Sequence, residues 1–549
     1  MDVQMSDPAL NIADLSKYFK RRGLTLSGNA ASALENVLAR ESDPLSHLPQ
    51  ILSLLRPTLT SSTITLPLLT PIIASLTSSL TDVTSSSTSL ITPFDLPQKK
   101  ILYYPERKSY EVVTVNKLNL TPEDISQKPC SFLERYHNLL GRIEFNDYFR
   151  PSAVSPGIKI VKACSAVGRN DGKQTVFMFG MLTLPNLEDD TGFVKIDLSN
   201  LRSSQGYIFE GCFVVVEGVL ENGGLTAIEI HHPPFTSREG VIKNLGKDVV
   251  NSYDDEYFGY LQNASTIKRS HDEGCVITLQ GVEMDLEGTV EKLRKVFGGF
   301  EGIVKWGVDE DTKAFAEFEN EGGVEENFVR YQSPVFVLMG SFTSTSITHT
   351  PSGIRLYKHY MDLLANTIAQ YPYLAEHAKF IIVPGENDPV NVGVLPWRGI
   401  SKVFVKGLTE HSTVKNVHLA SNPCTVKLFH RSIIIFNKPN ILTTFRREKI
   451  LDVEGGDGFK HVFKCILDQG HLCPLPPSKM PHMFNLSHSL RLDIPPTAVV
   501  LGAGEEGDSF KYGNEGEEEG VDCVVTGGFG RGEFVVYYPG RGEAEISGV

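Results

Sequence analysis

Val335-Phe336-Val337-Leu338-Met339-Gly340-Ser341-Phe342 is the stretch on which the fold turns. Five apolar residues run together and stop at a glycine and a serine. The run is too short for a core helix and suits a strand buried on both faces. Moving outward, residues 276–279, 380–383 and 433–436 repeat the pattern. Between them lie apolar residues at helical spacing: Leu286, Val290, Leu293 and Phe297, then Leu356, Tyr360, Leu363, Leu364 and Ile368. Strand alternating with helix predicts a layered α/β or α/β/β domain over residues 270–549. Its end, 499–538, reads as strands interrupted by an acidic, glycine-rich insert at 505–520, taken as a solvated loop.

Upstream the pattern changes. Short β runs at 176–184, 194–198 and 212–220 are followed by Glu221-Asn222-Gly223-Gly224, a hairpin turn into 225–230. Several short strands over 151–235 predict a small barrel, for which an oligonucleotide-binding (OB) fold is a size match shared with other small β domains. Phe177, Phe179, Phe193, Tyr207, Phe209 and Phe213 are candidates for base stacking or for the barrel core. Residues 81–150 read as a linker and connection, extended at 101–115 and helical at 129–149 with Phe132, Leu133, Tyr136 and Leu140. Residues 1–80 carry apolar faces at helical spacing (Ile12, Leu15, Phe19; Ala30, Leu34, Val37, Leu38), predicting an N-terminal helical domain. The Ser/Thr-rich run at 77–92 marks its boundary. The whole is a multidomain α+β chain.

With 549 residues, the chain exceeds what one hydrophobic core usually fills. A net charge of -14 argues against a protein whose main task is to grip a phosphate backbone. No apolar run of about 18 residues and no secretory leader are present, so an intracellular protein without membrane partners is expected. The eight cysteines include no Cys-x-x-Cys pair and are read as reduced, mostly core thiols.

Four strand-end motifs carry a resemblance: Val337-Leu338-Met339-Gly340-Ser341-Phe342, Val383-Pro384-Gly385-Glu386-Asn387-Asp388-Pro389, Ser421-Asn422-Pro423-Cys424, and Gln469-Gly470-His471-Leu472-Cys473-Pro474-Leu475. In order and spacing the chain resembles the B-subunit family of eukaryotic replicative DNA polymerases. Asn-Pro-Cys at 422–424 and the motif from Gln469 favour its epsilon branch. The resemblance implies an OB barrel beside a degenerate calcineurin-like phosphoesterase domain. It implies a nuclear, non-catalytic subunit that holds the C-terminal zinc domain of the polymerase catalytic subunit and reaches the GINS component of the replicative helicase through its N-terminal domain. DNA contact would be weak or through the complex, and no cofactor is expected. A B subunit of polymerase alpha or delta, or a working metallophosphoesterase with relocated ligands, are the alternatives.

An active calcineurin-like site clamps phosphate between two metal ions about 3.5–4 Å apart, held by Asp, His and Asn from several strand ends. The family's first strand should end Asp-x-His; here it ends Leu279-Gln280-Gly281, and Asp285 falls too far on. The bridging Asp of the second is replaced by Ser341, whose hydroxyl cannot supply that charge. The third keeps a turn, with Asn387 and Asp388, but offers no imidazole in register, and Gly-His-x-His has become Gly470-His471-Leu472-Cys473. No catalytic and no metal site is therefore expected. His471 is expected to be a hydrogen-bonded structural histidine, and Asn387 and Asp388 to shape the turn before Pro389. Gly502-x-Gly504-x-x-Gly507 matches a dinucleotide fingerprint, but no helix pattern follows and its carboxylates would repel a pyrophosphate. The clusters Lys17, Lys20, Arg21, Arg22 and Arg446, Arg447, Lys449 read as helix-end or solvated charges.

Overall fold

The computed structural model describes residues 88–549, apart from 117–126, 152–156, 254–273, 321–332 and a few shorter stretches, together with Lys20, Thr25–Leu26 and Thr63–Ile64. Two compact units divide the chain: Met1–Ser87 with Val324–Asn327, and the remainder. The helical faces expected in residues 1–80 thus lie outside the described residues.

The second unit opens with Thr88–Ile91 (β1) and the hairpin Gln98–Tyr104 (β2) and Ser109–Val115 (β3). Helix Gln127–Phe145 (α1) follows, burying Tyr136, Leu139, Leu140 and Ile143 at helical spacing while Leu133 stays exposed. Thr175–Thr183 (β4), Asn186–Asp189 (β5), Gly192–Asp197 (β6), Phe213–Glu221 (β7) and Gly224–His231 (β8) close a barrel in the order β7-β8-β6-β5-β4. Alternation explains it. Val176, Met178, Val214 and Val216 point into the barrel, whereas Phe179, Phe213 and Val215 point outward and are sealed by α1. Short helix Arg238–Leu245 (α2) leaves the barrel, with Ser237 accepting a hydrogen bond from the Gly240 amide as its cap.

The α/β part holds two six-stranded sheets. Val276–Gln280 (β9), Val335–Met339 (β10), Lys379–Val383 (β11) and Val417–Leu419 (β12) are parallel neighbours in the first. The second takes Cys424–Leu428 (β13), Arg431–Asn437 (β14), Ala498–Gly502 (β15), Asp508–Tyr512 (β16) and Val521–Thr526 (β17); Glu533–Tyr538 (β18) and Glu543–Gly548 (β19) complete the first. In β10, Val335, Val337 and Met339 face the second sheet, while Phe336 and Leu338 face the helices Thr289–Asn320 (α3) and Pro351–Ile368 (α4). That double burial is why the strand reads as an unbroken apolar run. Helices Ile441–Glu448 (α5) and Gly458–Asp468 (α6) cover the other face of the second sheet, and their apolar residues join the barrel interior in one cluster.

Two readings change. β1 is not part of a linker but the edge strand of the second sheet, antiparallel to β13. Asp508–Tyr512, inside the expected solvated loop, is also a strand: Phe510 packs edge-on against Phe463 with ring centroids 5.4 Å apart, and the Tyr512 hydroxyl donates to Asp468 at 2.7 Å. Gly502 and Gly504 accordingly lead into a strand, not a helix.

Candidate functional site

The C-terminal ends of β9, β10, β11 and β14 converge, where catalytic loops sit in layered α/β folds. Asp388 is 3% exposed, and both its oxygens are engaged: Oδ1 accepts from the Phe342 amide and the Tyr357 hydroxyl, each at 3.0 Å, and Oδ2 from the Gly385 amide at 2.7 Å. Burial pushes its pKa up to about 6 although all three donors pull it down. The Ser341 hydroxyl accepts from the Asn387 amide at 3.1 Å, and Asn387 Nδ2 donates to the carbonyls of Thr343 and Ser344. Asp285, dismissed on register, reaches the same loop and accepts from the Ser344 amide at 2.9 Å and its hydroxyl at 2.6 Å.

The glycines permit this closeness. A Cβ on Gly340 would lie 2.1 Å from Asp388 Oδ2, and one on Gly385 would lie 2.2 Å from the Ser341 nitrogen. Sequence reasoning missed Asn437, at the end of β14. Its Nδ2 donates to the carbonyls of Gly340 at 2.6 Å and Pro384 at 3.2 Å, while its amide donates to Asn422 Oδ1 at 3.0 Å. An asparagine closing the apolar run of 433–436 was the available signal. Gln280 is buried against Gly502 and Gly504.

His471 and Cys473 belong to a separate neighbourhood. His471 Nδ1 accepts from the Cys473 amide at 2.9 Å, so Nε2 carries the proton and donates to Ser487 at 3.2 Å. Burial, with Arg135 nearby, holds this imidazole well below its ordinary pKa, hence neutral. The Cys473 thiol is pushed up to about 12 by burial. Among the described residues no three His, Cys, Asp or Glu side chains are grouped to hold a metal ion.

The first residue of that motif performs a different task. Gln469 is 1% exposed; its Oε1 accepts from the Phe213 amide at 2.9 Å, and its Nε2 donates to the Phe213 carbonyl at 2.7 Å and to His232 Nδ1 at 2.9 Å. It pairs with a barrel strand as another strand would. Of the six candidate stacking aromatics, Phe179, Phe213, Tyr207 and Phe209 are buried, and Phe177 packs partly buried beside α1. Phe193 alone is well exposed, opposite Glu188 across the β5–β6 pair. A carboxylate there opposes a phosphate backbone. Arg447 and Lys449 pair with Glu448 and Asp452. A cavity of about 330 Å³, lined by Gln98, Arg238, Lys427, His488 and Arg491 among others, meets the strand-end motifs only at Pro423, Cys424 and Leu472.

Comparison with known proteins adds lineage to this geometry. Residues 278–510 match the family of DNA polymerase alpha/epsilon B subunits, and residues 125–234 match the DNA polymerase epsilon subunit 2-like OB-fold domain. The chain is 28% identical over 371 residues to the B subunit of DNA polymerase epsilon from Arabidopsis thaliana, covering 66% of this chain and 63% of that one, under two thirds of its length. It is 25% identical to DNA polymerase epsilon subunit 2 of Drosophila melanogaster (84% and 82% covered) and 23% identical to that of Homo sapiens (96% and 97%).

Proposed function

Because the chain belongs to the alpha/epsilon B-subunit family of DNA polymerases, in its epsilon branch, we propose that it is a non-catalytic scaffold of the polymerase epsilon holoenzyme. In this reading the barrel and a degenerate calcineurin-like phosphoesterase domain together hold the C-terminal zinc domain of the catalytic subunit. The N-terminal residues reach the GINS component of the helicase, the site of action is the nucleus, and DNA is met through the complex.

The observation that supports this best is the state of Asp388. A catalytic carboxylate must turn an oxygen toward metal or substrate, whereas here both oxygens are held by two backbone amides and a tyrosine hydroxyl. The positions expected to carry phosphoesterase ligands, Gln280, Ser341, Asn387, Asp388, His471 and Cys473, are instead set in packing or in loop-to-loop hydrogen bonds. Loops locked in this way form a rigid face, and rigidity lowers the ordering cost of binding.

The test is retention of the full chain on the C-terminal zinc domains of the alpha, delta and epsilon catalytic subunits, assayed side by side. Capture by the epsilon domain alone is expected. Capture by another domain would move the chain to that branch, and capture by none would defeat the scaffold reading. Stoichiometric Mn or Fe with phosphodiesterase activity abolished by His471→Ala would replace it with a working hydrolase.

A further inference from the structure

α3 buries Leu293, Val296, Phe297 and Val304 against the first sheet. On roughly the opposite face, Lys295, Gly299, Gly302, Ile303, Trp306 and Glu310 are all exposed. Trp306 is 65% exposed and Ile303 53%. Apolar residues this large, side by side on one helix, are the type of anchor found at the centres of protein interfaces. The glycines need explaining too. Glycine is among the poorest helix formers, yet a Cβ at Gly299 or Gly302 would meet nothing within 4 Å, so packing within the chain does not require either.

The arrangement is palindromic. Steps of four, three, one, three and four residues separate the six positions, so reversing the helix superimposes the stripe on itself. Two copies of α3 laid antiparallel about a two-fold axis between residues 302 and 303 would set Lys295 against Glu310, Gly299 against Trp306 and Gly302 against Ile303, each pair occurring twice. Opposite charges meet at the ends, and each large apolar side chain faces a glycine that leaves room for it. Self-complementarity of this kind is what a two-fold interface demands.

We infer that this face of α3 is a self-association surface whose partner is a second copy of the chain. A contact made by one helix per copy is small, and the dimer is accordingly weak and reversible, with a dissociation constant on the order of 10–100 µM.

Sedimentation of the full chain from about 1 to 100 µM should show a monomer–dimer equilibrium. Tryptophan emission should shift to the blue with concentration, since Trp306 becomes covered while Trp397, the other tryptophan, is already buried. Trp306→Ala and Gly302→Leu should each abolish dimerisation. Lys295→Glu and Glu310→Lys should each weaken it by about tenfold or more, by setting like charges together. The double variant carrying both exchanges should restore it, because the pairing is re-formed with its signs reversed. A chain that remains monomeric over this range overturns the inference, as does association indifferent to Trp306. A double variant as weak as the singles also overturns it, since the helix would then meet something other than its own copy.

Discussion

At Asp388 three donors converge on one buried carboxylate, and substitution separates its shape from its charge. Asp388→Asn keeps an oxygen for Phe342 and Tyr357 but turns an amide N–H₂ toward the Gly385 N–H, where Oδ2 had accepted at 2.7 Å. Two donors face to face leave one unsatisfied, at a cost of about 1–3 kcal/mol in urea unfolding. The pH dependence gives the charge. Burial raises the folded pKa from 3.8 to about 6, so the acid's contribution is complete below pH 3.8 and is lost as pH rises through 6. The advantage of the native chain over Asp388→Asn should thus shrink by roughly 1.4 kcal/mol per pH unit between these values and stay constant above them. A constant difference from pH 4 to 7 would mean that the carboxyl is not perturbed. The sequence carried a turn at Asn387-Asp388-Pro389; it did not carry the reach of Asp388 to Phe342, which lies 46 residues away in the chain.

Elements were legible where local pattern and tertiary environment agreed. β10 and β11 announce themselves because burial on both faces demands apolar residues throughout. β1 does not, since Thr88-Ser89-Leu90-Ile91 closes a Ser/Thr-rich run and becomes a strand only through the pairing that β13 offers. In β16, Phe510 and Tyr512 do alternate with polar residues, but the glutamates and glycines around them hide the signal. The segment after α6 holds both cases: His471, expected from its motif to be a hydrogen-bonded structural histidine, bonds Cys473 and Ser487, while His482, which no motif singles out, is buried beside it with ring centroids 5.4 Å apart. Burial lowers the pKa of His482 from 6.5 to about 4, so its contribution to stability is present above pH 6.5 and is lost as pH falls toward 4. His482→Gln does not titrate. Whatever its fixed cost, the difference in unfolding free energy from the native chain should move by about 1.4 kcal/mol per pH unit in the variant's favour below pH 6.5. The direction is opposite to that at Asp388, and urea midpoints at pH 7.5, 6.5 and 5.5 would expose a difference that failed to move.

On the scale of the whole molecule, the separation of barrel and α/β domain drawn from the sequence hides a shared core. Val214, Val216 and Leu220 of the barrel lie in one apolar cluster with Phe445, Val462, Phe463 and Ile466 of α5 and α6. The polar joint at its edge links Phe213 to Gln469 across 256 residues of chain. No local pattern can reveal contacts at that separation, because each partner reads simply as a core residue of its own element. The energetic consequence is coupling: a barrel that opened alone would expose the apolar sides of α5 and α6 as well as its own. Residues 88–549 are therefore expected to unfold in a single calorimetric transition. Gln469→Ala, which leaves the Phe213 amide and carbonyl and His232 Nδ1 without their partner, should cost about 2–4 kcal/mol and lower that transition as a whole. A barrel peak that separates from the rest in the native chain would show that the cluster does not couple the two parts. A peak that separates only in Gln469→Ala would place the coupling in the glutamine's three hydrogen bonds and not in the apolar cluster beneath them.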